Sequence, residues 1–271
     1  MKKILSLVLL FLSVQSQAFE LRSPIKEGGL TYGKLNPNEK LYLNNQEIKT
    51  TKSGFFFFGI PQDSTHIKLI LHTNNKEKEI SIPVEKQKWQ EEYISGLQPE
   101  KVSPSNKNIK RIQKENLLIK KARDNFNTKY FPFCFDRPVK NFKRISSPFG
   151  ARRILNNIKK AGHSGVDYAA EIGTPIYAPA DGIVELTHQD MFLSGKTILI
   201  NHGFGLFSSY SHLNKISIKT GQKIKKGDLI GEIGTTGRST GPHLHYAITW
   251  MGVRLDPEQL VADFSCPLNK K

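Results

Sequence analysis

The chain has 271 residues, enough for one or two domains, with a formal net charge of +16. Past its first residues, no apolar run approaches the ~20 residues that cross a bilayer, so no membrane span is expected in the mature chain. The charge is uneven. Residues 101–145 hold 13 basic and 3 acidic side chains, whereas residues 19–100 hold 11 of each. This basic belt suits either a solvated linker or an anionic polymer.

Residues 1–18 read as a secretory signal. Lys2 and Lys3 form a basic start, an apolar run from Ile4 to Val14 follows, and Ser16-Gln17-Ala18 places small residues at the cleavage positions. The mature chain is therefore expected to be periplasmic or secreted. Nucleic acid is not an expected partner there. In an oxidising compartment the chain's two cysteines, Cys134 and Cys266, are expected to pair.

Residues 19–100 are expected to form an N-terminal β domain. Short apolar runs such as Leu41-Tyr42-Leu43 and 66–72 alternate with Asn and Gly turns, the pattern of a small β-sandwich. The Phe55 to Phe58 run predicts a strand buried on both faces rather than an exposed binding patch. His66 and His72 are read as ordinary strand residues.

Residues 101–144 are expected to be a basic helical linker. Ser103 can cap, and Pro104 suits the first helical position. Ile109, Ile112, Ile119, Ala122 and Phe126 recur at helical spacing, and this stripe is expected to pack on a domain. Lys110, Lys114, Lys120, Lys121 and Arg123 are assigned to the opposite face.

Residues 145–266 are again β-rich. Strands are predicted at 175–177, 182–187, 197–201, 206–212, 217–219, 229–233, 243–250 and 253–255. No helix long enough for a parallel crossover intervenes, so the sheet should be antiparallel and the fold mainly β.

Chemistry concentrates in this last segment. Gly162-His163-Ser164-Gly165-Val166-Asp167 and Gly241-Pro242-His243-Leu244-His245 offer three His and one Asp. Two His spaced by two on a strand point to one face. One can hold a metal while the other works on water. Two His and one carboxylate leave a fourth tetrahedral position open, as a catalytic zinc needs.

These patterns, with Ser147-Pro148-Phe149-Gly150 and Tyr210-Ser211-His212-Leu213, together resemble the LytM/lysostaphin-like (M23) zinc metallopeptidases over roughly residues 145–260. The resemblance implies that His163, Asp167 and His245 bind Zn2+ and that His243 and His212 are the non-ligand catalytic histidines. It implies hydrolysis of amide bonds in peptidoglycan stem peptides or cross-bridges. His243 would accept a proton from water and pass it to the leaving amine. His212 would steady the oxyanion or orient the water. Some relatives of this fold have lost zinc ligands and regulate a cell-wall amidase; the complete set here argues against that alternative.

The N-terminal domain is a candidate surface for an envelope partner and, with the basic helix, a candidate cover for the groove at His212 and His243. The loop from Arg152 to Lys160, with Asn156 and Asn157, is read as a lid, a substrate contact or a solvated loop. His188 is read as structural. His202 is read as shaping a turn, or as supporting the site from behind.

Overall fold

The computed structural model describes residues 19–21, 25–74, 76–130 and 134–263. The signal-like residues 1–18 and Cys266 lie outside the described residues. Cys134 itself takes part in a disulfide.

Two small antiparallel sheets form first. Phe19–Leu21, Leu30–Leu35 and Phe55–Gly59 make one. Gln46–Ile48, Lys40–Leu43, His66–Thr73 and Lys76–Pro83 make the other. Local chemistry explains the tight hairpin between Leu43 and Gln46. Asn44 and Asn45 both take positive φ, 50° and 61°, which a two-residue turn of this twist requires. Along His66–Thr73, Ile67, Leu69 and Leu71 are buried while Lys68 and His72 are not.

The Phe55–Gly59 strand is buried on both faces, as expected. Phe56 and Phe58 stack at 6.3 Å on one side. On the other, Phe57 meets Phe204 edge-on at 6.2 Å, and Gly59 lies against Leu255, Val253 and Trp250. The N-terminal sheets and the C-terminal sheet therefore share one continuous apolar cluster. Phe57→Ala should cost about 3–5 kcal/mol in chemical denaturation. A loss below ~1 kcal/mol would show that this contact does not hold the two parts together.

The large sheet has the order Lys223–Ile224, Gly182–Met191, Gly195–Asn201, Leu206–Ile216, His243–Trp250, Val166–Ala169 and Arg144–Ser147. Its neighbours are antiparallel throughout. Leu229–Ile233, His243–Trp250 and Val253–Leu255 have the predicted bounds. Residues 217–219 are not a strand. Ser217 N–H still reaches the Ile230 carbonyl, but the chain then turns at Thr220-Gly221.

The helical segment differs from expectation in two ways. Its cap is Ser105, not Ser103: the Ser105 hydroxyl accepts from Asn108 N–H, and the helix is Asn106–Arg123. Ser103 instead closes a preceding short turn, Pro99–Val102, by donating to the Pro99 carbonyl. Its inward stripe is also less apolar than predicted. Ile109 and Phe126 are exposed, and the buried helical residue is Glu115. Glu115 accepts from Phe192 N–H at 2.9 Å and pairs with Arg111, which also reaches Asp190. Polar anchoring replaces part of the expected packing. Among the described residues, no helix is long and apolar enough to cross a membrane.

Candidate metal centre

Sheet register builds this site. His245 lies directly opposite Asp167 on one neighbouring strand and opposite Ser211 on the other. Strand alternation puts His243 and His245 on one face and Leu244 and Tyr246, both fully buried, on the other. Gly165 lets the Asp167 strand approach closely. A Cβ there would fall 2.2 Å from the Tyr246 carbonyl oxygen. His163 enters from the preceding loop, tied by its N–H to the Ala151 carbonyl and by its carbonyl to Gly150 N–H.

Three atoms converge. His163 Nε2 is 3.1 Å from Asp167 Oδ1 and 2.9 Å from His245 Nδ1, and His245 Nδ1 is 2.8 Å from Asp167 Oδ1. Tetrahedral ligands at 2.0–2.1 Å would lie roughly 3.3 Å apart, so the spacing is near that of a closed three-ligand set. The donor chemistry fits too. His163 Nδ1 is 2.9 Å from the Pro148 carbonyl, which can only accept. Nδ1 therefore carries a proton, and in the neutral ring Nε2 turns a lone pair toward a carboxylate. That contact repels unless a proton or a cation lies between them. Burial would raise the Asp167 pKa, but the His163 and His245 rings set against its carboxylate hold it well below the usual carboxylate range. Burial pushes His245 down to about 4, so its imidazole is neutral at physiological pH. These three residues could hold a metal ion.

A second layer supports them, and sequence reasoning missed it. Arg153 Nη2 donates to Asp167 Oδ2 at 2.5 Å, leaving Oδ1 to the histidines. It also donates to Ser147 Oγ at 2.7 Å. Ser147 Oγ sits 2.9 Å from His163 Nδ1 and donates to Glu92 Oε2 at 2.5 Å. Glu92 arrives because the Glu91–Ile94 strand pairs in parallel with Arg152–Leu155, with Glu92 beside Arg153. The N-terminal part of the chain thus reaches behind the His163, Asp167 and His245 cluster.

Two further imidazoles face the same space. His243 Nδ1 lies 2.9 Å from the Gly241 carbonyl, and its Nε2 is 3.9 Å from Asp167 Oδ1. His212 Nδ1 lies 2.7 Å from the Thr236 carbonyl. In both rings the carbonyl fixes the proton on Nδ1 and bares Nε2. The His212 and His243 rings are 4.7 Å apart. His212 holds a positive φ of 66° inside a strand, a strained conformation of the kind that gathers at functional sites. Burial, with His243 and His245 nearby, pushes its pKa down to about 3.

His202 is not in the cluster; it is fully buried between the Asp181 carbonyl and the Ser208 hydroxyl. His188 Nδ1 accepts from Asp190 N–H. The 152–160 segment is a hairpin, Arg152–Leu155 with Ile158–Lys159, and Asn156 and Asn157 supply its turn at positive φ. Asn156 bonds the Leu97 backbone rather than the metal cluster. Ile94 and Leu97 form one wall of a pocket of about 400 Å³ that opens at His243 and His245.

Residues 161–257 match the profile of Peptidase family M23. Over that segment, about a third of the chain, it is similar to this peptidase family. Over 127 residues it is 41% identical to the peptidoglycan DD-endopeptidase ShyC of Vibrio cholerae, covering 46% of this chain and 29% of that one. Over 116 residues it is 45% identical to ShyA of the same organism, another peptidoglycan DD-endopeptidase, covering 42% and 27%. The chain thus spans under a third of the length of these curated relatives. A Pseudomonas aeruginosa crystal structure described as peptidase M23 superposes with a TM-score of 0.69 at 28% identity, covering 89% of this chain and 97% of that one. That likeness extends well beyond the M23 segment.

Proposed function

We propose that the chain is a zinc-dependent endopeptidase that hydrolyses amide bonds in peptidoglycan peptides, outside the cytoplasm. One observation carries the reading. Ligand-type atoms of His163, Asp167 and His245 converge while His243 and His212 turn bare Nε2 atoms to the same space. The relatives' names supply the substrate class and favour a DD-type cross-link over a glycine bridge.

His163 Nε2, Asp167 Oδ1 and His245 Nδ1 would be the ligands. Zinc held there supplies Lewis acidity toward the scissile carbonyl and the attacking water. His243 Nε2 accepts the water's proton and returns it to the leaving amine. His212, its Nδ1 proton committed to Thr236, offers Nε2 only as an acceptor. It therefore orients the water rather than donating to the oxyanion. Arg153 holds the far oxygen of Asp167 and so fixes which oxygen faces the metal.

The purified chain is expected to contain about one zinc per molecule, removable by a chelator together with peptide hydrolysis. Absence of bound metal in a hydrolytically active preparation would refute the reading. Glu92 gives a finer test. Glu92→Ala removes the acceptor for Ser147 and should weaken zinc binding by about 10–100-fold. Competition against a chromogenic chelator measures this without relying on activity. An unchanged affinity would remove Glu92 from the metal's support.

A further inference from the structure

A second cavity of about 1130 Å³ runs away from the metal centre across the face of the large sheet. Its floor follows from register. Ser211 lies beside His245, Ser209 beside Ala247, and Phe207 beside Thr249, all on the groove face. Arg254, on the next strand, lies beside Thr249 on its other side. Small side chains near the histidines leave the floor open to an extended backbone. The opposite wall belongs to the Asn106–Arg123 helix, outside the M23 segment, and presents Arg123.

Arg111, Arg137 and Arg153 each close on carboxylates. Among the described residues, Arg123 and Arg254 have no acidic partner, although both line the groove. The Arg123 Nε is buried without a hydrogen-bond partner, and so is the hydroxyl of Thr249, a residue only 5% exposed. Burial and the like charge of Arg254 lower the Arg123 pKa. The lining also holds two acids, Glu47, which Lys49 engages at 2.8 Å, and Asp124, next to Arg123 in the chain. Two neighbouring cations and a partnerless hydroxyl in a solvent-open groove form a vacant acceptor's cradle.

We propose that Arg123, Arg254 and Thr249 form a subsite for a carboxylate of the peptide substrate. Thr249 is four strand positions from His245, about 13 Å along the groove. An extended peptide bridges that distance with roughly four residues. The subsite would hold a stem-peptide carboxylate while the scissile bond lies at the metal. It rests on the peptidase reading above.

The test uses the zinc-loaded full chain and two cross-linked peptides that differ only in a free or an amidated stem carboxylate. Wild type should favour the free acid by about tenfold in kcat/KM, chiefly through KM. Arg254→Gln and Arg123→Gln should each erase that preference, with zinc content and kcat on the amidated peptide retained. Equal use of both peptides by wild type, or a preference that survives both substitutions, would overturn the subsite. If wild type cleaves neither peptide, the peptidase reading fails instead, and direct binding of the same pair still decides the subsite. Tighter binding of the acid that Arg254→Gln abolishes supports it; equal binding overturns it.

Discussion

His245→Ala is expected to abolish zinc binding and hydrolysis together. His245 Nδ1 lies within 2.9 Å of both other ligand atoms, so its loss removes one of three converging donors. Two remaining ligands do not hold a catalytic zinc. Metal-ion catalysis is worth several kcal/mol of barrier, so the rate should fall by roughly a thousandfold or more. The wild type should also gain thermal stability when zinc is added, and the variant should not. Elemental analysis and a melting curve with and without zinc measure both effects. Full zinc content in His245→Ala would show that the ligand set is wrong.

His243→Ala should separate metal from catalysis. The His243 Nε2 stands 3.9 Å from Asp167 Oδ1, and its other nitrogen is engaged by the Gly241 carbonyl. The side chain borders the ligands without being needed to complete them. Zinc content should therefore stay near wild type. Loss of a positioned proton acceptor should cost about 10²–10⁴-fold in kcat, with little change in KM. The two substitutions sit two residues apart on one strand face, so local disruption of the sheet cannot explain opposite metal results. If His243→Ala lost zinc as fully as His245→Ala, the division between ligand and proton acceptor would fail.

Much of this geometry could be read from local pattern. The His243–Trp250 strand alternates over His243 to Tyr246, so the shared face of His243 and His245 follows from a period of two. The Phe55–Gly59 run is continuously apolar because it has neighbours on both sides, Phe56 and Phe58 toward one, Phe57 toward Phe204. Elsewhere the deciding contacts are distant in sequence. Glu92 sits in a polar stretch with nothing local to mark it. Its place behind His163 depends on a parallel pairing with Arg153, across 61 positions. Ser103 and Ser105 are both competent caps, and only the turn closed at Pro99 decides between them. Assigning Arg123 to the face opposite the apolar stripe is corrected by helix geometry: it lies four positions after Ile119, on the same side, and both line the groove.

Digestion of purified sacculi by the full chain, read by mass analysis of the released muropeptides, tests the central claim most directly. The account predicts loss of cross-linked dimers and a matching gain of uncross-linked stem peptides, abolished by a chelator and restored by zinc. An unchanged muropeptide profile with zinc bound, or cleavage that a chelator does not stop, would contradict it.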